Sequence, residues 1–287
     1  MTLLECIEQQ SARLTQAGVS FGHGTNNAFD ESVWLTLWKL GLPLDELDSV
    51  AQRELNTREQ ASIEALIDAR IATRKPAAYL TGEAWLQGVP FTVDERAIVP
   101  RSLIAELIGD GTLDAWLPEP TQRVLDLCTG NGSLAVLAAM AWPDVHVDAA
   151  DLSPDALAVA RLNTERHEMG ERITLLQADG LAAVEDKRYD LLLCNPPYVN
   201  SEAMAALPTE YRAEPHLALA GGADGMDFIR ALLASAAQHM TEHAVLVLEI
   251  GHEAVHFEAA FPELEFAYLP THETEDQVVL VTREQLA

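Results

Sequence analysis

The sequence predicts a doubly wound α/β fold, a seven-stranded and mostly parallel sheet, behind a small N-terminal helical domain and a β-hairpin linker. Three observations predict it. From Arg123 onward, short apolar runs alternate with helical patterns, as parallel strands joined by crossover helices do. Before Lys75-Pro76, apolar residues recur at helical spacing. Between Tyr79 and Arg101 the pattern changes to two short extended runs around the turn signal Gln87-Gly88. The expected boundaries are 1–78 for the helical bundle, 79–101 for the linker and 102–287 for the sheet domain.

The first expected helix runs from Leu3 to Gln16, with Leu4, Ile7 and Leu14 among its apolar positions and Gly18 as its stop. The second runs from Phe29 to Leu40, with Val33, Trp34, Leu37 and Trp38 at helical spacing, and Gly41 and Pro43 end it. Trp34 and Trp38 are expected in the bundle core, the usual place of apolar aromatics at that spacing. A third helix follows Thr57, whose spacing to Gln60 predicts a capping box, and places Ile63, Leu66, Ile67 and Ile71 on one face. In the linker, Glu83 to Leu86 and Phe91 to Val93 are the expected strands. Read from the residues alone, Arg101 is an ordinary surface cation before a helix.

The sheet domain opens with the strand Val124–Cys128, the tight turn Thr129-Gly130-Asn131-Gly132-Ser133 and the helix Leu134–Met140. That succession lets a ligand approach the backbone closely. The second strand, Val145–Ala150, ends at Asp151, where a carboxylate can accept both ribose hydroxyls of a nucleoside cofactor. The third, Ile173–Gln177, runs into Ala178-Asp179-Gly180. Asp126, Asp151 and Asp179 are therefore expected on one rim. The fourth strand, Tyr189–Cys194, delivers Asn195-Pro196-Pro197-Tyr198 to the same rim. There the Asn195 side-chain carbonyl and the Pro196 peptide carbonyl are two converging acceptors, free of competing proline N–H groups, and Tyr198 offers a flat aromatic face. Glu214-Pro215 and the run Ala220–Gly225 read as a loop able to cover a substrate, before a helix from Phe228 to His239. The strand Ala244–Ile250, a helix to Phe261, and closing strands near Phe266 and over Gln277–Thr282 complete the sheet.

Composition narrows the partners. The 287 residues carry 18 Lys and Arg against 45 Asp and Glu, a net charge of −27. That balance disfavours a sequence-independent grip on nucleic acid and favours a basic protein partner. Cys6, Cys128 and Cys194 are widely spaced with no CxxC pair, so no disulfide or zinc framework is expected, and a reducing cytoplasmic compartment fits. The segment Met1–Glu5 lacks the features of a signal peptide, and no run approaches the length of a membrane span, so no membrane association is expected.

Asn195-Pro196-Pro197-Tyr198 resembles the substrate clamp of amino-group methyltransferases, and the turn Thr129–Ser133 resembles the first motif of class I methyltransferases. A glycine is common there where Cys128 stands; Cys128 either narrows the pocket or packs as a small hydrophobe, and packing is the preferred reading. The segment Pro76…Tyr79-Leu80…Gly88…Phe91-Thr92-Val93…Val99-Pro100-Arg101 is similar to the connecting segment of the HemK family of glutamine-amide methyltransferases. The resemblance implies a class I methyltransferase-like sheet and S-adenosyl-L-methionine as cofactor. It assigns cofactor binding to Asp126, Cys128, Thr129, Gly130, Asn131, Gly132, Asp151, Asp179, Gly180 and Asn195, with Asp179 on the adenine amino group. It assigns catalysis to Asn195, Pro196 and Tyr198, and substrate contact to these together with Pro197 and Arg101. Val99–Ile108 resembles the branch acting on the third large-subunit ribosomal protein. The release-factor branch usually has a second proline and an acid soon after the arginine, where this chain has Ser102 and Leu103. The same chemistry on a release factor, or N-methylation of a nucleic-acid base, are the alternatives within methyl transfer.

Two other readings compete. His252-Glu253-Ala254-Val255-His256 matches the zinc-peptidase signature, but no third ligand pattern follows, and a sheet-covering helix with solvated histidines is the plainer expectation, with no metal bound. Gly130–Ala135 also fits a dinucleotide-dependent oxidoreductase, which leaves Asn195–Tyr198 without a role.

Overall fold

The computed structural model describes residues 1–184 and 186–287. Its N-terminal part is helical: α1 (Leu3–Gln16), α2 (Ala28–Leu40), the short α3 (Leu47–Val50), α4 (Thr57–Thr73) and α5 (Ala77–Thr81). Leu3, Ile7, Leu14, Leu35, Leu37, Ile63 and Ile67 are fully buried together. The capping box of α4 sits one residue earlier than expected. Asn56 accepts the Glu59 backbone N–H while the Glu59 carboxylate accepts that of Asn56, so Thr57 is the first helical residue and Gln60 has no capping role. Trp34 packs against the bundle core, as expected, whereas Trp38 lies outside that cluster. Both are half-buried, because the inward stripe of α2 is taken by Glu31, Ser32, Leu35 and Thr36.

The hairpin β1 (Glu83–Leu86) and β2 (Val89–Thr92) turns at Gln87 and Gly88, both with positive φ, the primed-turn geometry of two-residue hairpins. It docks on the sheet domain where the Asn163 side chain bonds both the N–H and the C=O of Thr92, at 2.7 and 2.9 Å. After α6 (Ile104–Gly109) come β3 (Arg123–Leu127), α7 (Ser133–Ala141), β4 (His146–Asp151), α8 (Pro154–Arg166), β5 (Ile173–Gln177) and β6 (Tyr189–Cys194). They are followed by α9 (Ser201–Ala206), α10 (Asp227–Leu233), β7 (Met240–Glu249), α11 (Ala254–Ala260), β8 (Ala267–Tyr268) and β9 (Val278–Thr282). The sheet has the order β5-β4-β3-β6-β7-β9-β8, parallel except where β9 pairs β7 and β8. Alternate residues feed two cores. Val124, Leu191, Leu193, Val245 and Val247 face one side; Leu125, Leu127, Leu192, Cys194, Leu246 and Leu248 face the other. The helix expected over Phe228–His239 is divided: α10 stops at Leu233 and a separate 3-10 turn covers Ala236–His239.

The N-terminal helices join the sheet domain through buried charge. Arg70, 1% exposed, donates Nε to Glu31 Oε1 at 2.9 Å and lies 3.6 Å from Glu210 Oε1. Arg74 reaches the same Glu210 oxygen at 3.4 Å, and the Ser20 N–H donates to it at 3.2 Å. Beside them His23 Nε2 lies 3.3 Å from Glu214 Oε2, and its ring packs on Tyr211 with centroids 4.2 Å apart. Burial pushes the Glu31 carboxyl up from its ordinary value, against the pull of Arg70.

Candidate active site

A cavity opens at the C-terminal ends of β3, β4 and β6, where open parallel sheets place ligands. Among residues expected from sequence, Cys128, Gly130, Asp151, Asp179, Gly180, Asn195 and Pro197 line it. Ile98, Leu127, Leu152, Leu217 and Phe228 add apolar walls.

The turn after β3 is held left-handed at three positions, Cys128 (φ 57°), Gly130 (57°) and Gly132 (80°). The positive φ explains why glycine suits position 128, since a side chain there costs about 1–2 kcal/mol. Both readings of Cys128 hold in part: it borders the cavity and packs against the apolar layer containing Cys194 and Leu127. At Gly132 any Cβ would lie 3.1 Å from the Ala160 Cβ, so the glycine lets α7 start close against α8. Asp151 ties the turns together. Its Oδ2 accepts the Gly130 N–H and its Oδ1 the Ser153 N–H, each at 2.9 Å. Burial raises the Asp151 carboxyl from its ordinary value, while these backbone N–H groups oppose the rise.

The expected rim of three acids is reduced to two. Asp126 is fully buried inside β3 and does not line the cavity. Its Oδ2 accepts the Thr129 hydroxyl and the Ala135 N–H, which makes it a helix cap, and burial pushes its carboxyl up to about 7 against those two donors. Thr129 and Asn131 are buried with it. The Asn131 side chain accepts the Ser133 N–H, and its backbone carbonyl accepts Asn163 Nδ2 at 2.9 Å. The physical reason is the sheet's alternation: position 126 shares a face with Val124, beneath the start of α7.

Asn195 directly follows β6 on the cavity wall, and among the described residues its side-chain amide takes no hydrogen bond. Pro196 is buried and off the cavity lining. Tyr198 differs most from expectation. Its hydroxyl, given no role from sequence, donates to Glu249 Oε1 at 3.1 Å, and its ring lies against Gly251, where a Cβ would come within 2.3 Å of Cε2. Glu249 also accepts the Ser102 hydroxyl at 2.6 Å and the Leu103 N–H at 2.9 Å. Burial raises the Glu249 carboxyl despite these three donors. Nothing local in the sequence signalled Glu249, because its partners lie 147, 146 and 51 residues away.

Arg101 is a buried-pair residue, not a free surface cation. Its Nη1 and Nη2 meet Glu214 Oε1 and Oε2 at 2.6 and 2.8 Å, and its guanidinium stands 5.6 Å from the Tyr211 ring centroid. Glu214 Oε1 also accepts the Val99 N–H. Burial acts to raise the Glu214 carboxyl, but Arg101 and His23 outweigh it and hold the pKa at about 2. This pair pins the start of the covering segment, whose Pro215, Leu217 and Ala218 line the cavity. Further on, Ala220 bridges to Val199, and the backbones of Gly221 and Gly225 approach Pro197 and Tyr198 too closely for any side chain.

The zinc-peptidase geometry is not formed. α11 begins at Ala254, so His252 precedes the helix and bonds Gln277, while Glu253 is engaged by Asn200 and His256. Two histidines must share a helical face to bind zinc in that motif.

A family model, Methyltransferase small domain, matches residues 109–214. A ribosomal protein uL3 glutamine methyltransferase of Bordetella pertussis is 52% identical over 99% of this chain and 96% of its own length. Another of that name, from Burkholderia pseudomallei, is 47% identical over 99% of this chain and 95% of its own. Among solved structures, the catalytic domain of hMettl16 in complex with MAT2A 3′UTR hairpin 6 aligns with a TM-score of 0.53 at 12% identity, over 79% of this chain and 82% of that one, a likeness of fold.

Proposed function

The chain belongs to the family of ribosomal protein uL3 glutamine methyltransferases, and from that premise we propose that it transfers a methyl group to a glutamine side-chain amide of uL3, in the cytoplasm. The family implies a methyl donor of the S-adenosylmethionine type, and S-adenosyl-L-methionine itself is the proposed cofactor. When bound, that donor supplies an electrophilic methyl group on a sulfonium centre.

The residues fit such a group. A close-approach turn, two rim carboxylates and an apolar wall suit a nucleoside carrying an amino-acid tail. Asp151 is proposed to hold the ribose hydroxyls and Asp179 the adenine amino group. Three predicted roles change: Asp126, Thr129 and Asn131, buried and off the cavity lining, are proposed to support the turn from below instead of touching the cofactor. The observation that carries the reading is the Asn195 amide on the cavity wall, without a side-chain hydrogen bond among the described residues. An amide nitrogen is a poor nucleophile because its lone pair is delocalised. By accepting one amide hydrogen, Asn195 both fixes the nitrogen's orientation and returns electron density to it. The Pro196 carbonyl is proposed as the second acceptor. No strong base is required first, since the nitrogen becomes acidic only once methylated. Arg101 contributes by fixing Glu214 and the covering segment.

The test is mass mapping of heavy-methyl label on purified uL3. A single labelled glutamine is expected; label on a release factor in preference to uL3, or on nucleic acid, would overturn the substrate. A second measurement addresses the cofactor. Asp151→Ala is expected to weaken donor affinity about tenfold to a hundredfold, the loss of charge-assisted bonds of about 1.5–3 kcal/mol. Calorimetry showing unchanged affinity would remove Asp151 from the site.

A further inference from the structure

A second concavity, a groove of about 930 Å³, lies between α2 and the hairpin. Three of the chain's five tryptophans gather there, Trp34 and Trp38 from α2 and Trp85 from β1. Asp30, Asp45 and Glu83 line it too, and among the described residues no Lys or Arg does. Glu83 is paired with Arg166 at 2.6 Å, so the uncompensated charge comes from Asp30 and Asp45, both exposed. Trp85 is 43% exposed, on a hairpin held to α8 through the bonds of Thr92 to Asn163 and of Glu83 to Arg166.

We propose that this groove docks an extended basic segment of the protein substrate. The inference rests on the reading of a basic protein as substrate and names the surface that recruits it. Indole faces attract guanidinium and ammonium groups, most strongly when partly desolvated, and the aliphatic stems of Arg and Lys lie well along aromatic walls. Acids at the edge select positive charge and repel acidic chains. The chain's net charge of −27 acts in the same direction at longer range. The groove is also tied to the chemistry. The connector whose Glu83, Ala84, Trp85 and Gly88 form one wall of the groove continues to Arg96, Ala97 and Ile98 on the wall of the active-site cavity. The groove and the cavity are thereby joined by one segment of chain.

The test uses two exposed positions outside the catalytic machinery, Asp45→Lys and Trp85→Ala. Each is expected to raise KM for uL3 on the order of tenfold, as removing an aromatic anchor or reversing an interface charge does, with kcat and donor affinity unchanged. A short poly-arginine peptide without glutamine should quench tryptophan fluorescence and compete with uL3 on the parent enzyme, and do both more weakly on the variants. Unchanged KM in both variants, with the parent active on uL3, would overturn the inference. So would a concentration-dependent dimer abolished by Trp85→Ala, because the groove would then hold a second copy. Peptide binding in the groove by a parent enzyme inactive on uL3 supports the basic-segment site and overturns uL3 as the substrate.

Discussion

Asn195→Ala is expected to lower single-turnover methyl transfer to uL3 about a hundredfold to a thousandfold, the usual cost of removing one preorganised polar contact to developing charge, about 2.7–4 kcal/mol. Donor affinity should stay close to that of the parent, because the rim carboxylates and the turn after β3 stand on other strands. The fold should persist, since the Asn195 side chain has no hydrogen bond to lose among the described residues. Single-turnover kinetics, calorimetry and circular dichroism together check the prediction. A folded variant transferring methyl near the parent rate would make Asn195 a turn residue only. Tyr198 is not a clean control for ring stacking, as its hydroxyl helps satisfy the buried Glu249.

The second large effect is on stability. Glu214→Ala leaves the Arg101 guanidinium without its bidentate partner in a largely dry setting, and breaking such a pair costs about 3–5 kcal/mol. Because the Arg101 side chain keeps 25% exposure, the expected loss is near the lower end, about 3 kcal/mol, read from denaturant unfolding. A loss below about 1 kcal/mol would rank the pair with ordinary surface bridges. The pH dependence has a definite sign. The folded pKa of about 2 lies below the ordinary 4.5, so the stabilisation is complete above about 4.5 and fades as pH falls through about 2. Glu214→Ala should therefore remove part of the parent's acid sensitivity in that window.

What the sequence disclosed follows from distance along the chain. The central strands β3 and β6 were legible because strands buried on both faces read as near-continuous apolar runs, whereas the partly exposed β4 and edge strand β5 were placed by their alternation with helical patterns. The cavity's Asp151, Asp179 and Asn195 were legible because a strand end fixes which rim its next residue occupies. Asp126 was misplaced by one step of the pleat, which turns a rim acid into a buried cap. The tryptophans of α2 have helical spacing, but spacing alone does not say which face of the bundle is left uncovered. The Arg101–Glu214 and Tyr198–Glu249 bonds, 113 and 51 residues apart, had no local pattern to betray them.

The buried junction at Glu210 and Glu214 bears on how the molecule comes apart. Arg70, Arg74 and His23 belong to the helical part, whereas the two glutamates belong to the sheet part. Melting the helices alone would take Arg70 and Arg74 from Glu210, although Glu214 would keep Arg101, and melting the sheet part alone would leave Arg70 with Glu31 as its one carboxylate. The two parts are therefore expected to be coupled in unfolding through Glu210, and a chain cut back to residue 79 would carry that carboxylate without its arginines just ahead of the segment that covers the cavity.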